Sequence, residues 1–157
     1  MSTMDLTNCF WQIPISLESR KYFTTATPKG LFRYTRMPMG ARNSSAHCQH
    51  VVEAMLRKLP EVTTDPFQDD LVVTSESFYG HLSDLRKVFT LLREHNFFLK
   101  RKKCHFFKPE VKFLGHYISE EGIKPCTEKV DVVLAMDYPV NTTQIKSFVS
   151  ACRWFGK

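Results

Sequence analysis

Pro66-Phe67-Gln68-Asp69-Asp70-Leu71-Val72-Val73 sets two adjacent carboxylates at the head of an apolar, β-branched run. The run after the acids has the composition of a buried strand, extending to about Thr74. Pro66 cannot donate to a sheet, which places it at that strand's first residue, after a polar loop from Glu61. Two neighbouring acids repel each other and lose solvation unless something neutralises them. Successive side chains of a strand point to opposite faces, so only one acid of the pair faces a given site unless the other lies at a bend. A second acid must then come from elsewhere, and Asp5 in Met4-Asp5-Leu6 is the candidate. On the pair alone, a solvated turn or a helix cap is the commoner reading.

The 157 residues suit one domain or one lobe of a larger protein. With 43% hydrophobic and 13% aromatic residues the chain can bury a core, which excludes global disorder. The formal charge of +6 favours a polyanionic partner such as nucleic acid. Lys100-Arg101-Lys102-Lys103 concentrates that charge and, taken alone, is a solvated or phosphate-contacting face. The five cysteines are odd in number and widely spaced, without C-x-x-C, which argues against a disulfide framework or zinc site and for a reducing interior. His47-x-x-His50 with Cys48 has no matching second pair and is assigned to a helix surface. No apolar run reaches the ~20 residues of a membrane span, and no signal-peptide pattern opens the chain.

In chain order, a strand into Asp5 bends at Thr7-Asn8-Cys9, and Ser16–Lys21 forms a short helix. Residues 22–27 and 31–37 make a hairpin around Pro28-Lys29-Gly30. Asn43, Ser44 or Ser45 caps a helix through Leu59 that Pro60 ends. Leu82, Leu85, Val88, Phe89 and Leu92 share one face of a helix that stops near His95-Asn96. Residues 97–99, 104–107 and 111–118 have the character of short strands, with a turn at Glu120-Glu121-Gly122. Thr127 caps a helix to Met136, and Asn141-x-x-Gln144 resembles a capping box for a last helix through Phe155. Phe148, Val149, Trp154 and Phe155 are left partly uncovered there, as if the chain were cut. The fold expected is α+β, a small palm whose antiparallel sheet carries helices on one face.

The order of motifs then matters more than any one of them. MDLTNCFWQI, TPKGLFRYTRMPMGARNSSAHCQ, FQDDLVV and KKCHFFKPEVKFLGHYISEEGIKP together resemble the reverse transcriptase of gypsy-like LTR retrotransposons, over nearly the whole chain. The resemblance implies an RNA-directed DNA polymerase: a palm over 1–118 with a fingers hairpin inserted at about 22–37, then connection and start of thumb over 119–157. It implies two Mg²⁺ ions, with Mn²⁺ as a substitute, held by Asp5, Asp69, Asp70 and the Leu6 carbonyl. Phe67 stands where the Y-x-D-D box has Tyr.

The resemblance further implies that Lys103 protonates the pyrophosphate and that Asn8, Cys9, Phe10, Met39 and Gln68 contact the nucleotide. Phe10 falls at an aromatic gate against ribose. Phe113-Leu114-Gly115-His116 resembles the primer grip, and Arg36, Gly40, Asn43 and Ser44 fall at template contacts. The implied partners are an RNA template, a DNA primer and a deoxynucleoside triphosphate. Ribonuclease H and integrase domains are expected in the parent polyprotein. The implied location is cytoplasmic, in retroelement particles, with a nuclear phase left open. The competing reading is an inactive retroelement remnant that folds and binds nucleic acid.

Overall fold

A two-residue turn at Gln68 and Asp69 makes the acidic stretch the joint of a hairpin. In the computed structural model, β4 (Thr63–Phe67) and β5 (Asp70–Thr74) pair antiparallel, with Phe67 opposite Asp70 and Pro66 opposite Leu71. The structure describes residues 1–153 and 155, with Lys129 described by its backbone alone. Gln68 takes a left-handed φ of 55°; a non-glycine residue there stores on the order of 1–3 kcal/mol of strain.

Pro66 is therefore not the first residue of the central strand, and the stretch from Thr63 is not loop. β4 is the outer strand of a sheet ordered β1-β5-β4, where β1 is Ser2–Asp5. In a two-residue hairpin the closing pair exchanges hydrogen bonds, so the backbone of the next pair points away from its partner. The nitrogen of Pro66 thus faces outward, where no donor is missed. Its carbonyl accepts from Gln49 Nε2 at 2.8 Å.

β1 pairs antiparallel with β5, matching Met4 to Leu71 and Asp5 to Asp70. Directly opposed residues share a face, and faces alternate along a strand. Met4, Leu71 and Val73 therefore enter the main core with Val52, Met55, Leu85, Val88 and Leu92. The acids share the other face. The helices α2 (Ser44–Leu56) and α3 (Phe78–Glu94) pack on β4, on β5 and on each other, so both lie on the core side. Ser77 Oγ accepts from the Gly80 N–H at the start of α3, and Asn96 takes the left-handed conformation just past its end.

Several expected elements differ. α2 stops at Leu56, three residues short of Leu59. In α3 the inward face includes His81 and Leu91, while Phe89 turns out to meet Phe106 edge-on at 5.9 Å. Residues 97–99 and 104–107 form no strands; they meet β1 and its end through the isolated bridges Leu6–Leu99 and Thr3–His105. Between them Arg101–Lys103 makes one 3₁₀ turn. Cys9–Gln12 is a short helix, α1, rather than bend, and the next helical turn is 3₁₀ at Ser19–Tyr22. The exposed hairpin is shorter than expected, β2 (Thr24–Thr27) with β3 (Gly30–Arg33).

The chain divides into two compact units, 1–108 and 109–157. The second unit is a meander of β6 (Val111–Phe113), β7 (His116–Ser119) and β8 (Gly122–Pro125), followed by α4 (Thr127–Leu134) and α5 (Thr142–Arg153). Cys126, not Thr127, is the cap of α4, which ends before Met136. Asn141 Oδ1 accepts from the Gln144 N–H at 2.9 Å, and Gln144 Oε1 accepts from Val140 rather than from Asn141. Phe148 and Val149 are exposed, and Trp154 lies outside the described residues. Among the described residues no helix is long and apolar enough to cross a membrane.

Candidate active site

The pairing of β1 with β5 brings Asp5 opposite Asp70, although 64 residues separate them in the chain. Asp69 adjoins both, for its carbonyl accepts from the Leu6 N–H at 2.6 Å. Because Asp69 occupies the turn and not a strand, the alternation that would have sent the two neighbours to opposite faces does not bind it. Lys103 completes the group: its Nζ donates to Asp5 Oδ2 at 2.6 Å. The 3₁₀ turn that carries this lysine hangs from the end of β1, where the Lys100 N–H donates to the Asp5 carbonyl. The Asp5 side chain is 7% exposed and that of Lys103 56%, so an ammonium on the solvent side neutralises a buried acid.

These four groups share one electrostatic field. Burial pushes the Asp70 carboxyl above its ordinary range, the charges of Asp69 and Asp5 push it further, and Lys103 opposes them. The hydrogen bond to Asp5 holds the Lys103 ammonium up, helped by the charge of Asp5 and then by Asp69 and Asp70. Among the described residues no three His, Cys, Asp or Glu side chains are gathered closely enough to hold a metal ion. The donors are nonetheless right in kind, since carboxylate oxygens suit hard divalent cations.

The turn is gripped from beneath. Gln49, on α2, accepts from the Gln68 N–H at 2.7 Å and donates to the Pro66 carbonyl, while Glu53 fixes its amide at 2.7 Å. The sulfurs of Cys9 and Cys48 both lie 3.9 Å from the Gln68 carbonyl oxygen. A hydrogen bond between these thiols, with burial, raises the Cys9 thiol well above its usual range; the same bond lowers Cys48. Cys48 is therefore buried and not part of a helix surface, whereas His47 and His50 are exposed.

Other expected site residues are placed as follows. Asn8 is left-handed before α1, and Phe10 is half-buried against the core. Met39 is exposed, and Gly40 holds φ 84° with open space around it. Arg36 Nη1 donates to the Gln12 carbonyl at 2.8 Å, and the buried Ser44 donates to Pro38. Asn43 and Ser44 line a cavity of about 560 Å³ with Ile13, Phe23 and Met37. In the second unit, Leu114 and Gly115 form the two-residue turn between Phe113 and His116, both with positive φ, as a type I′ hairpin requires. Sequence reasoning missed Gln49 and the partnership of Cys48 with Cys9. The only signal for Gln49 was a polar residue beside Val52 on the inward side of α2.

One acid in a hairpin turn, the next at the head of β5 and a third opposite it on β1 are thus brought to one face of an antiparallel sheet. Residues 1–118 match the family described as reverse transcriptase (RNA-dependent DNA polymerase), and the chain belongs to that family. It is 34% identical over 156 residues to the retrovirus-related Pol polyprotein from transposon 297 of Drosophila melanogaster, covering 99% of this chain and 15% of that polyprotein. The transposon Tf2-3 polyprotein of Schizosaccharomyces pombe is 29% identical over 154 residues, covering 98% of the chain and 12% of the polyprotein. The chain thus spans a small part of the polyproteins it matches.

Among solved structures, the foamy viral protease-reverse transcriptase dRH in complex with double-stranded DNA superposes with a TM-score of 0.86 at 29% identity, covering 98% of this chain and 27% of that one. The foamy viral enzyme in complex with RNA/DNA hybrid gives 0.81 at 29% identity, with 98% and 21% covered.

Proposed function

We propose that the chain is the palm-centred core of an RNA-directed DNA polymerase that adds deoxynucleotides to a primer 3′-hydroxyl on an RNA template. The pairing of Asp5 with Asp70 beside Asp69 carries this reading. Asp5, Asp69, Asp70 and the Leu6 carbonyl would hold two Mg²⁺ ions, or Mn²⁺ in their place. When bound, such ions activate the hydroxyl and stabilise the departing pyrophosphate. Lys103, kept protonated by the acids around it, has a proton to give that leaving group. Residues 1–118 would be the palm with a fingers hairpin at about 22–37, and 119–157 the connection and start of the thumb.

Asn8, Cys9 and Gln68 would present backbone to the triphosphate, with Met39 beside the base and Phe10 closing the space a ribose 2′-hydroxyl needs. Arg36, Gly40, Asn43 and Ser44 would meet the template. The tight hairpin of Phe113, Leu114, Gly115 and His116 would position the primer end, where good orientation is worth about 7–11 kcal/mol. Foamy viral relatives bound to double-stranded DNA and to RNA/DNA hybrid support a nucleic-acid partner. In the parent polyprotein, ribonuclease H and integrase domains would accompany this one, in cytoplasmic retroelement particles.

A second reading, an inactive remnant that only binds nucleic acid, draws on the acids' not being gathered, among the described residues, into a closed three-ligand cluster. Primer extension on an RNA template separates the two. The whole polymerase containing this chain should extend with Mg²⁺ and lose at least about 10³-fold on Asp69→Asn, the scale of removing an essential catalytic group. The 157-residue chain alone should extend little or not at all. Undiminished extension by Asp69→Asn would overturn the site, and an inactive whole protein would leave the remnant.

A further inference from the structure

We propose that Cys9 and Cys48 are a peroxide-oxidisable dithiol whose disulfide resets the turn carrying Asp69. The two residues come from different elements, the first position of α1 and the second turn of α2. Both are buried, both are free thiols, and both sulfurs stand 3.9 Å from the same acceptor, the Gln68 carbonyl oxygen. Two S–H donors from different helices therefore converge on one carbonyl oxygen.

The chemistry balances with one equivalent of hydrogen peroxide. One thiol, as its thiolate, displaces hydroxide from the peroxide and becomes a sulfenic acid. The other attacks that sulfur and releases water, so two thiols and one peroxide yield a disulfide and two waters. The sulfurs must close to about 2.05 Å. That movement draws α1 and α2 together and removes both S–H donors from the Gln68 carbonyl. Gln68 sits in the strained left-handed region, so a change in its support is transmitted directly to Asp69. Because Phe10 follows Cys9 in α1, it is displaced as well. The link forms whatever the turn does; its consequence for nucleotide addition rests on the polymerase reading.

The test uses the folded chain carrying Cys104→Ser and Cys152→Ser, which removes the more exposed thiols. After peroxide treatment, peptide mass spectrometry should find Cys9 joined to Cys48 with loss of two hydrogens, reversed by dithiothreitol. Amide hydrogen exchange at Gln68 should accelerate roughly tenfold, the factor for one net hydrogen bond. With Cys48→Ser added, no link should form and peroxide should leave that exchange rate unchanged. Cys9 and Cys48 oxidised separately to sulfinic acids, or both still free after exhaustive treatment, would overturn the proposal. So would a link that leaves exchange at the turn untouched, or acceleration in the Cys48→Ser chain. Neither readout involves metal or nucleotide, so a failed polymerase assay bears on the other reading alone.

Discussion

Asp70 carries its charge at a cost to the fold. Its carboxyl is held above the ordinary value of 3.8 by burial, Asp69 and Asp5, against Lys103. Between 3.8 and that higher value the folded chain binds more protons than the unfolded one, so stability falls as pH rises through the window. Asp70→Asn should therefore stabilise the chain at neutral pH and give no gain below about pH 3.8, read from urea midpoints at the two pH values. His81 works in the opposite sense. Asp84 Oδ2 accepts from the Ser75 hydroxyl at 2.6 Å, which leaves Ser75 Oγ to accept from His81 Nδ1–H at 3.0 Å. His81 Nε2 must then accept from the Ser2 hydroxyl at 2.6 Å, whose oxygen takes the Phe107 N–H. This order demands a neutral imidazole. Burial lowers its pKa below 6.5, the chain's amino terminus lowers it further, and Asp84 opposes both. The unfolded chain binds the extra proton first, so stability present above 6.5 is lost as pH falls through and below it. The urea midpoint should drop on acidification from about pH 7 to about pH 5, and His81→Gln should flatten that drop; an equal slope in the variant would refute the tautomer chain.

At the scale of elements, the hairpin depends on α2. Gln49→Ala leaves the Gln68 N–H and the Pro66 carbonyl without their partner, which should lower stability by about 1–3 kcal/mol in urea unfolding. Gln49→Glu keeps the acceptor but sets a second carboxylate against Glu53, and should cost at least as much as Gln49→Ala. Leu71→Ala, at a fully buried position of β5, should cost about 2–5 kcal/mol by the same measurement. How legible each element was follows from its physics. α3 could be read because an apolar stripe at helical spacing ends in Asn96, a signal local to the chain. β4 could not, because Thr63, Thr64 and Asp65 are polar, as suits an outer strand, and the proline marks the start of a strand rather than the inside of one. The turn was hidden because primed turns favour glycine or asparagine, and here glutamine takes the left-handed position. Asp5 could be named as the partner acid from its apolar surroundings, but its register against Asp70 is a long-range fact that no local pattern encodes. Gln49 and the Cys9–Cys48 pair were illegible for the same reason.

Across the whole molecule, the excess of basic residues sets how it should meet a polyanion. Each phosphate neutralised on a duplex contributes about −0.9 to the slope of log affinity against log salt. Replacing Lys100, Arg101 and Lys102 together by Ala should make the slope shallower by about 0.9 for every phosphate these side chains neutralise, measured by titrating an RNA–DNA duplex at several salt concentrations. An unchanged slope would mark that run as merely solvated. The outward-turned imide nitrogen in the sheet's border strand has a consequence for crowding. A strand from another copy seeking to extend the sheet would find no hydrogen to accept at Pro66, and the Asp65 carboxylate beside it. Copies packed at high density are thereby kept from zipping together along this margin.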